Sequence, residues 1–127
     1  MPRYLLDTTA LVDTSRRRQP AADRLRTLVT LEDQVGVCSI TVGEFFAGLS
    51  PQLRDEWWGR LARLHFWDAS RESAERAGAW RYDYARRGII LSLTDTLVAA
   101  IAYEAGAAVV TSNVRDFPMP EVRVIGI

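Results

Sequence analysis

The stretch Arg3-Tyr4-Leu5-Leu6-Asp7-Thr8-Thr9-Ala10-Leu11 decides how the rest of the chain is read. Its apolar run, residues 3–6, stops abruptly at Asp7, and residues 8–17 can continue as a helix. A short buried strand that ends on a carboxylate and turns directly into a helix is the opening unit of a strand–helix chain. The unit recurs: residues 36–39 read as a strand and 41–49 as a helix through Val42, Phe45, Phe46 and Leu49, broken at Ser50-Pro51. Further helices are expected over 20–32, 53–64, 70–87 and 94–105, the last two closed by Gly88 and Gly106 as C-caps. Strands are expected over 65–68, 108–111 and 122–125. Strands alternating with helices predict an α/β fold, a largely parallel sheet covered by helices on both faces. Such sheets bind ligands beyond the carboxyl ends of their strands.

Four acidic residues fall at that edge. Asp7 follows the first strand, Glu44 lies near the start of the third helix, Asp95 opens the alanine-rich helix and Asp116 follows the fourth strand. Carboxylate oxygens are the hard ligands that Mg²⁺ and Mn²⁺ prefer. A cation held by carboxylates from separate segments can neutralise charge on a phosphodiester and acidify an attacking water. Each residue also has an ordinary structural explanation. Asp7 can cap a helix, Thr41 and Glu44 match a capping box, Asp95 favours the helix dipole, and Asp116 before Phe117-Pro118 suits a turn. Their shared location is what the separate explanations leave out. Crowding them in a partly desolvated cleft should raise the pKa of some of them.

Composition narrows the alternatives. The 127 residues fit one compact domain, 48 % hydrophobic and 25 % charged. Net charge is zero, so a polyanion must be held by a local basic surface rather than by the whole molecule. All 16 basic residues are arginine, which removes every mechanism that needs a catalytic lysine. One cysteine, Cys38, and one histidine, His65, leave zinc sites and Ser-His-Asp or Cys-His catalysis without the residues they require. Cys38 reads as a core residue and His65 as a strand residue. The longest apolar run, residues 97–103, is far short of the roughly 20 needed to span a bilayer. A cytoplasmic protein without a membrane segment is expected.

Leu5-Leu6-Asp7-Thr8-Thr9-Ala10-Leu11, Ser39-Ile40-Thr41-Val42-Gly43-Glu44-Phe45, Leu93-Thr94-Asp95-Thr96-Leu97-Val98-Ala99-Ala100 and Thr111-Ser112-Asn113-Val114-Arg115-Asp116-Phe117 resemble the four motifs of PIN domains. They most closely resemble VapC-type toxins of bacterial toxin–antitoxin pairs. The motifs stand in the family order, and the resemblance covers essentially the whole chain. The resemblance implies a five-stranded parallel sheet between helices and a magnesium-dependent endoribonuclease. It implies Asp7 and Asp95 as main metal ligands, Glu44 as a further ligand or water-mediated contact, Asp116 as the fourth acidic residue, and Asn113 as a polar residue beside the site. Thr8 or Thr9 could hydrogen-bond in the same pocket. A homodimer and a small VapB-type antitoxin that blocks the site are implied as well.

Two related architectures fail on named residues. A haloacid-dehalogenase-type phosphatase needs a second Asp where Thr9 stands, and a receiver domain needs a lysine. A housekeeping RNA-processing nuclease and a PIN-like module that binds RNA or a partner without cleaving stay open. Asp13 reads as surface. Arg115, Arg86-Arg87 and Arg16-Arg17-Arg18 are candidate phosphate contacts. Phe45, Phe46, Trp57, Trp58 and Leu61 supply more large apolar surface than two short helices need, and suggest a groove for an amphipathic antitoxin helix.

Overall fold

The computed structural model describes residues 2–30 and 33–127. Five strands form one sheet in the order β3-β2-β1-β4-β5: β1 (Arg3–Leu6), β2 (Gln34–Val37), β3 (His65–Phe66), β4 (Ala108–Thr111) and β5 (Val124–Gly126). Every pairing is parallel, with Leu5 opposite Gly36 on one side and Val109 on the other. The chain runs outward from β1 to β2 and β3, then returns to lay β4 against the other side of β1. The order therefore reverses between β1 and β4, and the crevice a parallel sheet offers to ligands opens at their carboxyl ends.

Alternation along the strands feeds two cores. Leu5 and Val109 point to the layer of α5 (Arg71–Arg86) and α6 (Leu93–Ala105), where they meet Ala77, Trp80, Val98 and Ile101. Tyr4, Leu6, Ala108 and Val110 point to the opposite layer, which is built from α1 (Thr8–Ser15), α2 (Ala21–Leu28), α3 (Ser39–Ala47) and α4 (Pro51–Leu61). In α6 the run Val98 to Ala102 is almost completely buried. Its alanines let the helix lie close to both the sheet and α5. Gly36, inside β2, leaves the room filled by the Trp67 indole; a Cβ there would collide with the ring. Gly88 and Gly106 take the left-handed conformation at the ends of α5 and α6, as C-terminal glycines do.

Several expectations are corrected. The helix expected over 41–49 begins at Ser39, because Thr41 folds back onto Cys38: its Oγ1 accepts from the Cys38 amide at 3.2 Å and donates to the Cys38 carbonyl at 3.1 Å. Thr41 thus closes the capping box itself, and Glu44, in the second turn, has no capping role. Pro51 starts α4 rather than ending α3, a position that suits a residue without an N–H. Trp58 does not share the buried face of α4: Leu61 is buried, while Trp58 is 71 % exposed. The second helix ends at Leu28 rather than 32; Leu31 and Glu32, its expected last residues, lie outside the described residues.

Candidate active site

The site is built around the end of β1. Asp7 occupies the N-cap position of α1, yet its side chain makes no capping bond to that helix. It turns toward β4, where Oδ2 accepts from Thr111 Oγ1 at 2.9 Å and from Thr9 Oγ1 at 3.3 Å. The two hydroxyls lie 3.0 Å apart and are oriented in turn by backbone donors, Ser112 N–H to Thr9 and Asn113 N–H to Thr111, both at 3.0 Å. With a lone pair on each taken by an amide, both protons are free to point at Oδ2. Asp7 is 6 % exposed, and among the described residues its side-chain donors both go to Oδ2.

The other three carboxylates come from three other segments. Glu44, the sixth residue of α3, is exposed and accepts from Thr8 Oγ1 at 2.7 Å, which joins α3 to the first turn of α1. Asp95, the third residue of α6, is half-buried, and its amide donates to the N-cap Ser92 hydroxyl at 3.1 Å. Asp116 ends a 3₁₀ turn (Val114–Asp116) and is also half-buried. Asn113, just before that turn, is exposed.

Two of the four are perturbed by their surroundings. Burial pushes the Asp7 carboxyl above its ordinary value of 3.8, against the hydrogen bonds from Thr111 and Thr9, and the Glu44 charge adds to the rise. Asp95 is raised too, first by burial and then by the charges of Asp116, Asp7 and Glu44. None of the ion pairs among the described residues reaches this group; they join Arg18–Asp13, Arg26–Asp23, Arg60–Glu56 and Arg71–Glu75. A set of oxygen donors with unneutralised negative charge fits a hard divalent cation. Among the described residues no three acidic, histidine or cysteine side chains close into a ready cage.

The sequence underestimated two residues. Thr111, the first residue of the fourth motif and without an expected role, gives Asp7 its shorter hydroxyl bond. Asp13, read as surface, accepts from Ser112 Oγ at 2.6 Å and pairs with Arg18 at 3.0 Å. A recess of about 330 Å³ between these groups is lined by Thr8, Thr9, Asp13, Arg18, Ser112 and Asn113 among others. A larger apolar recess of about 600 Å³, bounded by Leu6, Ala22, Leu25 and Leu64, contains none of the acidic residues. Of the candidate phosphate contacts, Arg86 and Arg87 lie over the Tyr82 and Tyr84 rings, Arg18 is engaged by Asp13, and Arg115 is exposed beside Asp116. Of the apolar set on α3 and α4, Phe45 and Leu61 belong to the core, Phe46 and Trp57 are half-buried, and Trp58 is exposed, as is Leu53, which lies outside that set.

Residues 4–120 match the PIN domain family model. The tRNA(fMet)-specific endonuclease VapC of Salmonella typhimurium is 28 % identical over 98 % of this chain and 97 % of its own length. Ribonuclease VapC19 of Mycobacterium tuberculosis is 32 % identical over 91 % of this chain and 92 % of its own. Among solved structures, a DNA-bound VapBC complex from Salmonella typhimurium superposes with a TM-score of 0.81 at 27 % identity, covering 99 % of this chain and 98 % of the other. The parallel sheet is thus that of a known fold, and the chain belongs to the PIN-domain family, in its VapC-type branch.

Proposed function

We propose that the chain is a divalent-metal-dependent endoribonuclease and the toxin of a VapBC-type pair. The observation that carries the reading is the convergence of Asp7, Glu44, Asp95 and Asp116 on the crevice beside β1, outside every ion pair among the described residues and with Asp7 and Asp95 raised by burial and mutual repulsion. Uncompensated charge of this kind is maintained at functional sites at the expense of stability. Relatives named as endonuclease and ribonuclease supply the substrate class.

Asp7 and Asp95 would hold magnesium or manganese, with Glu44 and Asp116 completing the acidic set. The ion would supply Lewis acidity toward the phosphodiester and its attacking water. The chain's own work is orientation. Thr111 and Thr9 fix one oxygen of Asp7. Thr8 holds Glu44 at the opposite wall. The exposed Asn113 amide and Arg115 are positioned to contact the RNA backbone next to the acidic group.

Rigorously purified protein incubated with total RNA tests the reading. Cleavage should require Mg²⁺ or Mn²⁺ and fall by at least about 100-fold in Asp7→Asn and Asp95→Asn. Undiminished cleavage in EDTA, or full activity of both variants, would overturn it. Binding of RNA without cleavage under all conditions would favour a non-cleaving module. The partner is a small antitoxin whose amphipathic helix lies on the exposed Trp58 and Leu53 surface of α4. Co-expression with the adjacent small protein should protect cells, and Trp58→Ala should weaken the complex; an unchanged complex places the helix elsewhere. Light scattering should give the mass of two chains, and a persistent monomer contradicts that part.

A further inference from the structure

We propose that Asp13 is a positioning residue of this site: through Ser112 it fixes the turn that carries Asn113 and Asp116 to Asp7. The inference rests on the nuclease reading for its activity assay but not for its structural test.

The far end of the turn between β4 and Asp116 is held by packing, with Phe117 buried in the core and Val114 lying against Gly126 of β5. Its backbone bonds, Asp116 N–H to Asn113 carbonyl at 3.1 Å and Phe117 N–H to Val114 carbonyl at 3.0 Å, are local to the turn. Beside the Asn113 amide, which donates to Thr111 Oγ1, its near end has two attachments to α1, and the first lies at Thr9, whose hydroxyl accepts from the Ser112 amide. The second lies one helical turn further along α1, where Ser112 Oγ donates to Asp13 Oδ2 at 2.6 Å. Thr9 and Asp13 are four residues apart and therefore share a face of α1. Two points, one on the amide and one on the side chain of Ser112, fix the near end of the turn against α1.

The second point is itself held. Arg18 Nη1 donates to Asp13 Oδ1 at 3.0 Å, and the left-handed Arg17 (φ 53°) folds the chain back so that Arg18 N–H also reaches the Asp13 carbonyl at 2.8 Å. Both carboxylate oxygens are engaged, and the Ser112 bond followed by the Arg18 bond and charge keeps Asp13 below the ordinary carboxylate value. An ionised Asp13 accepts only, so the Ser112 hydroxyl has one available orientation. Bonds of this charge-assisted kind are short and about twice as strong as neutral ones.

The test compares the parent with Asp13→Asn, Ser112→Ala, the double variant and Ser112→Thr. Three quantities are read: kcat and KM on RNA, magnesium affinity by calorimetry, and amide exchange of Ser112, Asn113 and Asp116 against Val109 and Val110 of β4. Asp13→Asn and Ser112→Ala should each lower kcat about tenfold, leave KM within about twofold, and weaken magnesium binding by a similar factor, as loss of an outer-shell partner does. The double variant should be no worse than either single one, and Ser112→Thr, which keeps the hydroxyl, should recover most of the loss. Exchange should accelerate in the turn and stay unchanged in β4. Lower melting temperatures with parental kcat, parental magnesium affinity and parental exchange in the turn would reduce Asp13 to a scaffold contact and overturn the proposal. Additive losses in the double variant would show that the two residues act separately, which overturns it equally. If the parent neither cleaves RNA nor binds magnesium, the nuclease reading fails by itself. The exchange comparison then decides whether Asp13 holds the turn.

Discussion

The two ends of α1 carry the same residue in opposite states. At its start Asp7 is buried, joins no ion pair among the described residues and is pushed above its ordinary pKa; six positions later Asp13 is partly exposed, paired with Arg18 and Ser112, and held below it. Near neutral pH and without metal, the first destabilises the fold and the second contributes to it. The contrast separates a carboxylate kept for chemistry from one kept for geometry, although a sequence spells both as Asp.

The largest effect that sharpens this contrast is on activity. Asp7→Asn removes a ligand and should reduce cleavage by at least about 100-fold, whereas Asp13→Asn should lose about tenfold. Equal losses would break the distinction.

The pH dependence of stability comes next, and its signs differ. Asp7 and Asp95 have folded-state values raised above 3.8, so the native state binds more protons than the unfolded chain between 3.8 and those raised values. Stability should fall as pH rises through that window and recover on acidification. Asp13 is lowered from 3.8, so its contribution is present above 3.8 and is lost as pH falls from there through its folded value. Melts of metal-free parent and Asp95→Asn from about pH 7 to about pH 4 check the first sign: the gap between them should close as pH drops. A gap that widens would mean that Asp95 is stabilised by its surroundings.

The smallest effect is the stability change in Asp13→Asn. Its partner Arg18 is 53 % exposed, so the pair is screened and the loss should be about 0.5 kcal/mol at low salt, fading as salt is added. A loss that salt does not touch would locate the contribution in the Ser112 bond alone.

What was legible in the sequence divides along the same line. Strand-ending Asp7, the glycine-closed helices and the short apolar runs of β1 and β4 follow from local patterning, and the parallel sheet they predict is the sheet observed. Helix starts were less legible where a side chain, not the helix itself, sets the boundary: Thr41 bonding to Cys38 moved α3 two residues upstream and took the capping role from Glu44. The face of α4 was misjudged because Trp57 and Trp58 look alike in a hydrophobic pattern, whereas it is Trp57 that meets Phe45, with ring centroids 5.1 Å apart. Asp13 escaped notice because its partner lies 99 residues away, and nothing near it in the chain announces a serine at the end of β4.

The central claim, that the acidic group at the end of β1 is a divalent-cation site kept at a cost to the fold, is tested most directly by thermal melts of the parent and Asp7→Asn, each in EDTA and in excess magnesium at fixed ionic strength. Without metal, Asp7→Asn should melt above the parent, by an amount corresponding to about 1 kcal/mol. Magnesium should raise the parent's Tm, because a ligand that binds only the folded state stabilises it, and should leave Asp7→Asn nearly unmoved. A metal-free Asp7→Asn protein that melts below the parent, or an equal response of the two proteins to magnesium, would contradict the account.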